Sequence, residues 1–225
     1  MKTIATLFLA LCIGGFVSIL SACDGTVFLH KQISGSGTVT TSQRAHTDFK
    51  GVEAGGAVEV TVTAQQDYKV EVEADDNIIE HIRTKVSDGI LEISMDPEFS
   101  YSNTTVRVHV WLPQLTSLDI SGASTAKVTQ VSSEDLSIGA SGASSITIEG
   151  SSKILRGEVS GASALLAEKL TAERVMIEAS GASKGHVYAT ASLTAEASGA
   201  STIYYSGEPK NIEEETSGAS SIKRR

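Results

Sequence analysis

Ser121-Gly122-Ala123-Ser124 returns five times, at Ser141, Ser160, Ser180, Ser198 and Ser217, in steps of 20, 19, 20, 18 and 19 residues. A fixed period this short predicts a solenoid, in which each repeat is one coil that cannot bury its apolar face alone. Counting back from each glycine in steps of two gives Ile120 and Leu118, then Ala140, Ile138 and Leu136, then Val159, Gly157 and Leu155. The next copies give Ala179, Ile177 and Val175, and Ala197, Ala195 and Leu193. Alternation at two residues predicts a strand with one buried face. Apolar residues resume at the same parity after the corner, at Ile146 and Ile148, Leu165 and Ala167, and Ile203 and Tyr205. Each coil then reads strand, small-residue corner, strand, turn. At about 3.3 Å per residue a coil closes a path of roughly 60 Å, stacked about 4.8 Å above its neighbour.

The expected fold is therefore all-β, a right-handed parallel β-helix of about six SGAS coils of 18–20 residues over 114–225. Stacking puts like residues on top of one another, so the corner must be small. Gly122, Gly142, Gly161, Gly181, Gly199 and Gly218 supply the bend. Ala143 and Ala162 are expected in tight stacks, and the serines are expected to pass hydroxyl hydrogen bonds along a ladder. The chemical rival is a nucleophile elbow, G-x-S-x-G. Gly139-Ala140-Ser141-Gly142-Ala143 comes nearest and fails at its last position. A nucleophile is needed once, not six times.

The first 22 residues read as a lipoprotein signal peptide. Lys2 is followed by an apolar run from Ile4 to Ile19, short for a membrane span, and then by Leu20-Ser21-Ala22-Cys23. That string resembles the bacterial lipobox, which implies lipidation of Cys23 (palmitate among the acyl groups) as the mature N-terminus. Asp24 resembles an inner-membrane retention signal. Cys12 falls inside the signal, so its removal leaves Cys23 alone, with no disulfide or cysteine-ligated metal site. The mature chain keeps 203 residues and its formal charge moves from −9 to −10. An acidic, aromatic-poor chain without a basic cluster excludes nucleic acid as the expected partner.

Residues 23–33 read as a tether and 34–113 as a β cap region. Ser34-Gly35-Ser36-Gly37 is expected to be a flexible lead-in. Strand patterns follow at Val58, Val60 and Val62, at Val70 and Val72, at Ile90, Leu91 and Ile93, and at Val106, Val108 and Val110. Gly55-Gly56 and Ser87-Asp88-Gly89 are turn signals. Asp75-Asp76-Asn77 reads as an N-cap before a turn or two of helix at Ile78–Ile82. It lacks the glycine and distal glutamate of a calcium loop. Trp111-Leu112-Pro113 closes the region, since proline stops a strand that must pair onward. A solenoid needs atypical ends, so the cap is expected to be irregular coils and hairpins, and Lys223-Arg224-Arg225 an edge guard.

With these residues in hand the chain resembles the bacterial head GIN-domain family, whose members go by the name of autotransporter adhesins. The likeness is carried by Phe49-Lys50-Gly51-Val52, Gly56 to Val62, Val72 to Asn77, the Leu118-to-Ser124 repeat and Thr216 to Lys223. It covers nearly all of the mature chain; the departure is Ala57-Val58 in the name-giving segment. The resemblance implies a β-helix and an adhesin-like role.

Three functions compete. The first is a non-catalytic lipoprotein, anchored by lipid in the cell envelope, that binds or scaffolds an envelope protein or glycan. The second is self-association into β-helix filaments. The third is a polysaccharide-active enzyme, which rests on fold analogy alone. His30, His46, His81, His109 and His186 share no ligand or triad spacing, and aromatic sugar platforms are scarce. No catalytic residue is expected.

The parity of the strands adds a surface. The residue three before each corner glycine faces outward, and that column reads Asp119, Gly139, Glu158, Glu178, Glu196, Glu215. Neighbouring charges at strand spacing repel by roughly 1 kcal/mol in water. The column is expected either to splay into solvent and pair with cations such as Arg156, or to hold a divalent cation or cationic ligand weakly through Glu158, Glu178, Glu196 and Glu215. No other cofactor is expected.

Overall fold

A computed structural model describes residues 31–225. Cys23, His30 and the apolar leader lie outside them. Strands β1 (Lys31–Ser34), β2 (Val39–Arg44), β3 (Gly51–Ala54), β4 (Val58–Ala64) and β5 (Lys69–Asp75) come first. One 3-10 turn at Ile79–His81 leads to β6 (Ile82–Ser87), β7 (Ile90–Met95), β8 (Phe99–Ser102) and β9 (Val106–Leu112). The repeat opens at β10 (Ser117–Ile120) and continues in the long bent strands β11 (Thr125–Ala140), β12 (Ser145–Val159), β13 (Ala164–Ala179) and β14 (Lys184–Ala197). It finishes in β15 (Thr202–Ser206), β16 (Asn211–Thr216) and β17 (Ser221–Arg224).

From β10 onward the coils stack in parallel and in register. Leu136 lies beside Leu155, Leu155 beside Val175, and Val175 beside Leu193. Ile138, Gly157, Ile177 and Ala195 form the next inward column. All eight are buried, as the alternation requires. Each fully buried Leu or Ile contributes about 1.5–3 kcal/mol. Gly157 fits this column because Leu165 and Ile177 fill the space where its side chain would stand. The stacked parallel β-solenoid expected from the period is the fold of the chain.

The N-terminal coils join the same stack out of chain order. β3 pairs in parallel with β10, and β4 with β11. On their other side β3 pairs with β7 and β4 with β9. Residues 51–64 thus form a coil lying between the coil of 90–112 and the first SGAS coil. Gly55-Gly56, read as a simple turn, holds the corner position: the Ala123 N–H donates to the Gly56 carbonyl at 2.7 Å, as Ala143 does to Gly122 at 2.8 Å. Antiparallel strands then cover this end, β5 on β9, β2 on β5 and β6 on β7.

Two expectations in this region are corrected. The helix is a single 3-10 turn with Ile78 at its N-cap and no side-chain cap bond. Asp75, Asp76 and Asn77 instead clasp the glycine-serine lead-in. Buried Asp75 accepts from the Gly37 N–H at 2.7 Å and the Thr104 hydroxyl at 2.5 Å. Asp76 accepts from the Ser36 hydroxyl at 2.5 Å, and Asn77 accepts from the Ser36 N–H and donates to the Ser34 carbonyl. With β1 paired to β8, Ser34–Gly37 is a fastened segment rather than a loose one.

Candidate functional site

The SGAS corner sets the edge of the wall. Its six glycines all have φ between 71° and 74°, left-handed values that side chains resist. A Cβ on Gly161 would stand 2.5 Å from the Gly142 carbonyl oxygen, and on Gly142 2.7 Å from that of Gly122. The bend and the stack both require glycine. The two neighbours exchange the roles expected of them. Ala143 and Ala162 are exposed at the tip, whereas Ser144, Ser163, Ser183 and Ser201 are buried. Their hydroxyls do not bond one another. Ser144 donates to the Ile120 carbonyl at 3.0 Å, Ser163 to Ala140 at 2.9 Å, Ser183 to Val159 at 3.0 Å and Ser201 to Ala179 at 2.9 Å. Each is a staple from one coil to the carbonyl at the end of the strand below. No nucleophile is presented by these buried serines.

Beside the corner runs the acidic column. Strand register places Asp119 next to Gly139, Gly139 next to Glu158, and then Glu178, Glu196 and Glu215 in succession. It also continues the other way, where Asp119 lies beside Glu53 and Glu53 beside Glu92. Seven carboxylates therefore occupy a column eight coils long. Glu53 was legible in sequence, three residues before Gly56 as Gly139 is before Gly142. Glu92 precedes no corner glycine and gave no such signal.

The one gap has a packing cause. The Asp119 carboxylate folds over Gly139 into the space a side chain there would need. Partial burial first, then the charge of Glu158, hold the Asp119 carboxyl above its ordinary range. Open clefts follow the column, one of about 350 Å³ along Glu53, Asp119, Gly139 and Glu158, another of about 190 Å³ along Glu158, Glu178, Glu196 and Glu215. Arg156 does not neutralise the wall: its guanidinium donates twice to Asp135 at 3.2 Å. Among the described residues Glu158, Glu178, Glu196 and Glu215 have no ion-pair partner, and Glu92 alone of the column pairs, with Lys85 at 3.6 Å. Standing side by side, the carboxylates do not converge: no group of three or more His, Cys, Asp or Glu among the described residues is arranged to hold a metal ion.

The described histidines are scattered. His46 bonds Thr84, His81 packs on Phe99, His109 on Trp111 and His186 on Tyr204. Burial first, outweighing Glu168, pulls the His186 imidazole below its ordinary range.

The family described as "Putative auto-transporter adhesin, head GIN domain" matches residues 48–209, which takes in the inverted N-terminal coils and five of the six SGAS corners. The chain belongs to the head GIN-domain family. No curated protein matches it. Solved structures share the fold of this head GIN-domain protein. A "putative adhesin" from Bacteroides fragilis NCTC 9343 is 20% identical with a TM-score of 0.71, covering 86% of this chain and 100% of its own. A "putative lipid binding protein" from Parabacteroides distasonis ATCC 8503 is 18% identical at a TM-score of 0.55, covering 87% and 100%. At these identities the likeness is one of fold.

Proposed function

We propose that this head GIN-domain protein is a non-catalytic, adhesin-like module of the bacterial envelope, fastened by a lipid on Cys23, which binds or scaffolds a cationic partner through its acidic wall. The observation that carries this reading is the column from Glu92 to Glu215, a straight row of outward carboxylates left without cations along most of its length. Like charges set side by side on a sheet are unfavourable, and a basic partner surface relieves that repulsion on docking. The family points the same way, and the open clefts suit an extended contact better than an enclosed small molecule.

The test compares retention of the purified chain on immobilised polylysine with that of two triple variants of equal net charge. Glu158→Gln, Glu178→Gln and Glu196→Gln together should weaken retention about tenfold or more. Neutralising the exposed Glu80, Glu98 and Glu168, which lie off the column, should change it little. Equal losses would remove the wall from the proposal. Cys23→Ser should release the protein from membranes; a variant that still pellets with them would end the lipid-anchor part.

A further inference from the structure

The wall is not the only charged feature on the surface: the C-terminal coil carries acids and cations, of which Arg224 reaches Glu208 at 3.5 Å and Arg225 lies over Tyr204. Among the described residues the last coil has one edge with no strand paired on it, made of β16 on one side of the corner and β17 on the other, with every residue of β16 exposed. β16 carries Glu213, Glu214 and Glu215, and β17 carries Lys223 and Arg224, followed by Arg225. The same edge exposes Ile212, 43% accessible and one of two exposed large hydrophobics among the described residues. An acidic strand and a basic strand thus share one end, and a free edge invites another strand.

We propose that two copies of this chain pair head to head through these ends, the acidic β16 of each lying along the basic β17 of the other. A two-fold axis through the Ser217–Ser220 corner exchanges the two strands, so that both contacts are matched in charge and the edge strands meet antiparallel. The interface is isologous and closes at two copies.

Head-to-tail stacking into filaments is less well served. The opposite end of the solenoid presents β6 and β2. The β6 cations Arg83 and Lys85 are already paired with Asp96 and Glu92. β2 offers Arg44 and no acid to the cations of β17. The β17 contact would bring like charges together, and the β16 contact would compete with two ion pairs, Arg83–Asp96 and Lys85–Glu92, whereas head-to-head pairing competes only with Arg224–Glu208 at 3.5 Å. A further device guards the end against indefinite stacking. Glu214 sits in register with Ala195, at the top of the inward column, and an inward-pointing charge on an edge strand disfavours continuation of the core. Burial first, and then the Glu214 carboxylate beside it, push the Tyr205 phenol above its ordinary range.

Sedimentation of the full chain in density-matched detergent tests the pairing. At low salt the expected particle holds two chains, with dissociation rising about tenfold or more by molar salt, because exposed charges are screened. Glu213→Lys with Glu215→Lys makes both strands basic, and Lys223→Glu with Arg224→Glu makes both acidic; each double variant should sediment as one chain per particle. An equimolar mixture of the two should restore the two-chain particle, which also shows that both variants are folded. Glu215 belongs to the wall, so polylysine retention is compared for Lys223→Glu with Arg224→Glu, which alters no wall residue and should lose the pairing while keeping the parent's retention. Particles that grow past two chains with concentration would overturn the proposal in favour of filaments. Single chains from the parent at low salt, or a mixture that stays monomeric, would equally overturn it.

Discussion

The coils from Ser117 onward and the coils of residues 51–112 share one stack and one register, yet only the first set shows a period in the sequence. In the repeat, each coil is followed in the chain by the coil above it. Every corner therefore meets its own copy, and glycine and serine are demanded at fixed steps. Among residues 51–112 the neighbours in space are not neighbours in sequence. The coil of 51–64 borders 117–130 on one side and 90–112 on the other, with β5 and β6 inserted as covering strands. Its corner keeps the glycine, Gly56, because the bend there has left-handed backbone, φ 104°, although a Cβ would meet only Met95 at 3.9 Å. It has no serine, and the coil beneath continues into β8 and its flanking turns in place of a glycine corner. Val58 stands at the serine position instead, buried, and donates its N–H to the Ser124 hydroxyl at 3.2 Å. Stacking conserves the backbone bend, whereas the side-chain staple runs from Ser144 to Ser220, within the SGAS repeat.

The sharpest break of this comparison is at the glycines. Gly161→Ala places a side chain against the Gly142 carbonyl in left-handed backbone and should cost about 2–4 kcal/mol. Gly37 in the cap has a similar φ of 81° but open space around it. Gly37→Ala should cost only about 1 kcal/mol. Urea midpoints measure both, and equal losses would mean that the corner is not stacked.

The staple comes next. Ser144→Ala removes a buried hydroxyl and leaves the Ile120 carbonyl a bond short, for about 0.5–1.5 kcal/mol. Ala143→Leu, one residue away on the exposed tip, should stay within about 0.5 kcal/mol. The reverse order would put alanine in the stack and serine in solvent.

The smallest effect is at the gap in the wall. Asp119 has its carboxyl pKa raised in the fold, so its ionised form is the less favoured there. Its contribution then falls as pH rises from the unfolded value, about 3.9, through the folded one. Asp119→Asn should raise the thermal midpoint slightly at pH 7 and give no such gain near pH 3, where both forms are neutral. A gain of the same size at both pH values would point to packing rather than charge.

How much could be read beforehand follows from the same contrast. The inward columns Leu136 to Leu193 and the outward acids Asp119 to Glu215 were legible because strand parity carries from coil to coil. The roles of Ala143 and Ser144 were not, since parity does not extend through a four-residue bend that aims the serine inward and the alanine out. The clasp of Asp75 on Gly37 joins residues 38 apart, and local propensity favoured a helix cap instead. Arg156 could have reached either Glu158 or Asp135, and only the stacking of β11 on β12 shows that it bonds Asp135.

Disulfide trapping in the full chain tests the out-of-order stacking most directly. Glu53→Cys with Asp119→Cys joins residues that face each other in register across β3 and β10. Glu92→Cys with Asp119→Cys joins residues that would be neighbours only if the coils followed chain order. Adjacent strands bring Cα atoms within the roughly 4.4–6.8 Å that a disulfide spans, and a coil in between does not. On a non-reducing gel the first pair should oxidise to a bridged monomer and the second should stay reduced. Bridging of the second pair and not the first would contradict the single register, and with it the wall that runs from Glu92 to Glu215.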